Sequence, residues 1–123
     1  MPAAGRAALR VAHIDFYSDP VVVEVPGAAT AGTPFTVAVT TYGGGCVSED
    51  TTVVQVTGLH ADVVPYQRVY RPGANEACTQ ELRITRREAS VVFAAPGLAT
   101  VRVIGRAAPD DGLVVVERQV AVR

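Results

Sequence analysis

The sequence predicts an all-β domain built as a two-layer antiparallel sandwich of about seven to eight strands. Three observations carry this. The apolar residues are dominated by valine, in runs such as Val21-Val22-Val23, Val53-Val54 and Val114-Val115-Val116, and β-branched side chains suit a pleated surface better than a helix. Short runs of alternating polarity recur along the chain. Between them fall glycine, proline, aspartate and serine clusters of the kind that form turns.

The first expected strand is split, from Arg10 to Tyr17 and, after Ser18-Asp19-Pro20, from Val21 to Val25. Residues 1–9 are read as a flexible segment ahead of a single domain spanning 10–123. Pro34 to Tyr42 alternates most clearly, with Phe35, Val37, Val39 and Thr41 inward. Gly43-Gly44-Gly45-Cys46 interrupts it, and Thr51 to Thr57 resumes. Leu59 to Tyr70 is strand-like but contains Pro65, which lacks an amide hydrogen, so an edge or a bulge is expected there.

Gln80 to Glu88 is read as a short strand around Leu82 and Ile84. Val91 and Phe93 then face inward, as do Val101 and Val103 beyond Pro96-Gly97. Pro109-Asp110-Asp111-Gly112 is a turn in which proline presets one backbone angle and glycine is expected to supply a positive one. Along the closing strand, Leu113 to Val122, the alternation puts Arg118 on the inner side with Val114, Val116, Val120 and Val122. A bulge or an arginine reaching past the core rim is therefore expected.

Composition limits function. With 49% hydrophobic and 19% charged residues among 123, the chain is too apolar for a disordered segment. The net charge is −1, and eleven arginines scattered along the sequence leave no basic tract for nucleic acid or an acidic membrane. No apolar run reaches bilayer-spanning length, and Met1 to Arg10 lacks the hydrophobic centre of a signal peptide.

Two segments resemble bacterial extracytoplasmic immunoglobulin-like and PKD-like families. Ala31-Gly32-Thr33-Pro34-Phe35-Thr36-Val37-Ala38-Val39 looks like their second strand. Phe93-Ala94-Ala95-Pro96-Gly97-Leu98-Ala99-Thr100-Val101-Arg102-Val103 looks like their hairpin between the fifth and sixth strands. The resemblance implies an immunoglobulin-like sandwich serving as a spacer, adhesion module or accessory binding domain. It departs from antibody domains in having no tryptophan and no tyrosine at Leu98-Ala99.

Cys46 and Cys78 lie in loops that would emerge at one end of an immunoglobulin-like sandwich. No CxxC spacing or neighbouring histidine marks a metal or redox site, so the sequence favours a disulfide, and with it an extracytoplasmic compartment, over free thiols. His13, Asp15 and Tyr17 alternate on one strand, and His60 and Asp62 repeat the pattern. Residues two apart on a strand stand roughly 7 Å from one another, beyond direct contact without extended rotamers, and no nucleophile motif accompanies them. No catalytic residue and no cofactor are expected.

Glu49, Asp50, Glu76, Asp110 and Asp111 have an explanation in turn chemistry that needs no metal. The preferred binding surface is Tyr66, Arg68, Tyr70 and Arg71, the two tyrosines and Arg68 sharing the outer face of an expected edge strand. The expected function is a non-catalytic spacer or protein- or glycan-binding module. The alternative is a small-ligand or calcium-binding domain using the loops at the cysteine end.

Overall fold

The computed structural model describes residues 5–123. Ten strands are joined by hydrogen bonds into one sheet that curls into a half-barrel, and no helix is present among the described residues. They are β1 (Arg6–Val11), β2 (His13–Phe16), β3 (Val23–Glu24), β4 (Ala28–Ala29), β5 (Phe35–Gly43), β6 (Val47–Thr57), β7 (His60–Arg71), β8 (Arg83–Val91), β9 (Gly97–Ala108) and β10 (Leu113–Val122). The all-β expectation holds. The strands number ten, two of them only two residues long, and are not all antiparallel. β7 and β2 each run parallel to β9, and β4 runs parallel to β10.

The middle of the sheet is a fork. β7 and β9 pair in parallel only over His60–Val63 and Thr100–Val103. Beyond that point β7 pairs with β1 and β9 with β2. Ala12, fully buried, is the bend between the two arms: its amide donates to the Pro65 carbonyl at 2.8 Å, and its carbonyl accepts the Arg106 amide at 2.9 Å. β1 begins at Arg6, inside the 1–9 segment expected to precede the domain, while residues 1–4 lie outside the described residues.

The fork corrects the edge assignment of the Tyr66 strand. β7 has β6 along one side and β9 then β1 along the other, so it is interior. A strand residue's amide and carbonyl point to the same side, and the Pro65 carbonyl points to Ala12. Its missing amide hydrogen therefore falls where β7 changes partner, and no ladder bond is lost.

The core lies inside the curl. Ile14, Val37, Val39, Ala61, Val63, Val91, Phe93, Val101, Val103, Val120 and Val122 form one buried cluster, with the Phe35 and Phe93 rings stacked 5.8 Å apart. The inward valines of β5, β9 and β10 at 37, 39, 101, 103, 120 and 122 are thus read correctly from the sequence, while Ala38, expected to face outward, is buried as well. The β9–β10 register is continuous, with no bulge, and Arg118 lies exposed with Nη1 donating to the Glu117 carbonyl. Phe93 to Val103 is not a hairpin: β8 pairs with β5 and β9 with β10, so the turn carries the chain across the curl.

β6 and β8, each paired along one side only, with β7 and β5 respectively, face each other. Arg87 of β8 reaches over that seam and donates to the carbonyls of Tyr66 (2.7 Å) and Asp50 (2.6 Å) and to the Thr52 hydroxyl (3.0 Å). Burial pushes its pKa down from the ordinary arginine value, and the hydrogen bonds to these acceptors satisfy the buried guanidinium.

Candidate aromatic cleft beside the cysteine pair

β5 ends in glycines for a physical reason. Gly44 and Gly45 have φ of 118° and 57°, the region glycine tolerates, and Gly44 and Val47 exchange backbone hydrogen bonds of 2.9 Å around a tight turn. Cys46 sits in that turn, and its Cα lies 5.2 Å from that of Cys78, at disulfide distance. The pair fastens the 72–82 connection against the start of β6.

That connection walls a cleft of about 310 Å³ whose other side is aromatic. Phe16 stacks on Tyr42 with ring centroids 5.1 Å apart, and Tyr17 meets Phe16 edge-on at 4.5 Å. Leu82, His13, Glu81 and Val47 also line it. Tyr17 and Leu82 are 60% and 51% exposed, unusual for large apolar groups facing one depression.

The backbone at the rim is strained. Tyr17 and Ser18 both have positive φ, 51° and 65°, in a turn closed by the Asp19 amide on the Phe16 carbonyl at 3.0 Å. Glycine and asparagine favour such positions; for other residues each costs about 1–2 kcal/mol. The conformation projects the tyrosine ring over the cleft.

Beside Tyr42, its ladder partner, His13 donates from Nε2 to Asp111 Oδ1 at 2.6 Å, and Arg106 Nη1 lies 2.9 Å from the same oxygen. The His13 hydrogen bond, with the positive charge of Arg106, holds the Asp111 carboxyl below the ordinary carboxylate range, and burial pushes the Arg106 pKa down. The positive φ of the 109–112 turn falls on Asp111, at 60°, rather than on Gly112. An aspartate tolerates it, and there it can face His13.

His13 thus pairs with Asp111 and not with Asp15. His60 Nε2 does reach Asp62 Oδ1, at 3.0 Å, which corrects the expectation that residues two apart stay separated. Arg102 Nε joins them at 3.1 Å. Burial raises the Asp62 pKa, but the two donors outweigh it and the net direction is down. Neither histidine hydrogen-bonds to a serine, threonine or cysteine among the described residues.

The acidic loop residues separate. Glu49 accepts from Thr85, Asp50 from Thr51, and Glu76 from the Tyr70 hydroxyl, and among the described residues no three histidine, cysteine or acidic side chains gather at metal-binding distance.

Of the residues singled out for binding, Tyr66, Arg68 and Tyr70 share the outer face of β7, opposite buried Ala61, Val63, Pro65 and Gln67. Pro65 does not shift this alternation. Arg68 is exposed and lies 3.5 Å from Asp50; both tyrosines are half-buried. The Tyr70 hydroxyl is bound to Glu76 at 2.7 Å, which raises its pKa and lowers that of Glu76. Arg71 points to the other face of the strand, away from the other three. The aromatic cleft escaped sequence reasoning because its members come from β2, β5 and the 72–82 connection. The Phe16-Tyr17-Ser18 turn was its one local signal.

No family model matches the chain, and neither the curated proteins nor the solved structures contain a match to it. Among the described residues no helix is long and apolar enough to cross a membrane.

Proposed function

We propose that this chain is a non-catalytic, immunoglobulin-like binding module of an extracytoplasmic compartment, and that it holds a glycan in the Phe16–Tyr17–Tyr42 cleft. The carrying observation is Tyr17, kept in a strained conformation with its ring exposed over the cleft. A residue that costs folding energy and exposes apolar surface signals a role outside folding. The weakly positive C–H face of a sugar ring complements the negative face of an aromatic ring, and His13 and Glu81 offer polar partners for hydroxyl groups. The cysteine pair at disulfide distance supports the compartment.

Tyr17→Gly tests this, because it removes the ring while relieving the positive φ. On a glycan array followed by calorimetry, the variant is expected to fold at least as stably as the parent and to lose binding. Retained binding overturns the reading, and so does loss of binding on Tyr66→Ala with Tyr17 intact, which would move the site to the outer face of β7.

A further inference from the structure

The arginines that look scattered in the sequence are not equivalent in the fold. Arg68, Arg83, Arg86, Arg102 and Arg106 each lie against a carboxylate. Arg87 and Arg118 donate to backbone carbonyls. Of eleven, that leaves four with no side-chain acceptor among the described residues: Arg6, Arg10, Arg71 and Arg123. The first three stand around one depression of about 270 Å³ floored by Ala8 and Val69.

Arg6 and Arg71 are direct partners across the β1–β7 ladder. Like charges placed so oppose each other and destabilise the pairing unless an anion lies between them. Arg10 follows on the same face of β1, four positions along and roughly 13 Å away at the rise of a strand. Guanidinium groups engage the oxygens of carboxylates and sulfates through paired N–H bonds, and among the described residues none of the three is paired in this way, Asp111 acting on Arg10 only through space.

We propose that Arg6, Arg10 and Arg71 form an anion-binding groove for an acidic polysaccharide, one acidic group seated between Arg6 and Arg71 and the next on Arg10, with the chain lying over Ala8 and Val69. The spacing is too long for a single oxyanion and fits groups repeated along a polymer. The choice of a glycan rests on the reading above. Val47 lines the aromatic cleft and is the ladder partner of Val69, so the groove continues the cleft.

A short oligogalacturonate serves as probe, with galacturonate monomer, a neutral glucan oligomer and polyglutamate as comparisons. The parent is expected to bind the acidic oligomer more weakly as salt rises. Arg6→Gln/Arg71→Gln is expected to weaken binding about tenfold or more while its Tm stays level or rises, since an opposed pair of charges is removed. Unchanged affinity in that variant overturns the proposal. Monomer binding as tight as oligomer overturns the polymer groove, and equal binding of polyglutamate overturns the glycan class.

Tyr17→Gly separates the two readings. If it spares the acidic oligomer while the arginine variant loses it, the aromatic cleft fails and the groove stands. If it alone abolishes binding, the groove fails and the cleft stands.

Discussion

The carbonyl of Pro65 accepts the amide of Ala12 at 2.8 Å, at the point where β7 exchanges β9 for β1 as its neighbour. Two departures from regular sheet meet there, a residue without an amide hydrogen and a fully buried bend with room for no more than a methyl group. Ala12→Leu is therefore expected to destabilise the protein by about 1–3 kcal/mol through overpacking, measured by urea denaturation. A change under a few tenths would mean that the fork has slack.

Gly105 lies against the fully buried Ile14, and a methyl group there would come within 2.5 Å of Ile14 Cγ1. Gly105→Ala is expected to cost about 1–3 kcal/mol, and Ile14→Ala in the same chain, which removes both γ carbons that the new methyl would meet, to recover part of that loss. Strictly additive effects in the double-mutant cycle would show that the two positions do not touch.

For the cysteines, closing a loop across 32 positions is worth about 3.7 kcal/mol in the chain-entropy description. Cys46→Ala/Cys78→Ala is expected to lower stability by an amount of that order while keeping the β spectrum. Thiol titration of the unreduced, denatured parent is expected to find no free thiol. Two thiols would remove the disulfide and the argument for an oxidising compartment.

The depressed Asp111 carboxyl sets a pH dependence. A carboxyl whose folded pKa lies below its unfolded value stabilises the fold above the unfolded value, and that contribution is lost as pH falls through the folded one. Asp111→Asn, which keeps the tolerance for positive φ, is expected to lower Tm at neutral pH and to converge with the parent in acid. A Tm difference that persists unchanged below the carboxylate range would point to lost shape instead of lost charge.

Much of the sheet was readable in advance because inward residues recur at every second position; Val37, Val39, Val101 and Val103 needed no more than that. The glycines before Cys46 announced a sharp turn. The interior position of β7 was not readable, since Pro65 lowers strand propensity everywhere and only the fork makes its missing hydrogen harmless. The arginine groove was hidden for another reason. Arg6 and Arg71 are sixty-five positions apart and become neighbours only through a ladder pairing, and composition counts charges without noting which have lost their partners.

Glu76 accepts from the Gly5 amide, the Gly73 amide and the Tyr70 hydroxyl, so one carboxylate ties the start of β1 to the end of β7. Otherwise β1 is held by its ladder and by Arg106 Nε donating to the Val11 carbonyl at 2.6 Å, with five of its six residues exposed. Such a strand is expected to open locally at lower free energy than the core, its amide hydrogens exchanging with solvent while those of β9 stay protected. Two of the three groove arginines ride on it. Whatever bridges Arg6 to Arg71 binds only the closed form, and so slows that exchange in proportion to its occupancy. β1 then behaves as a latch whose rate of release reports, amide by amide, what the groove has captured.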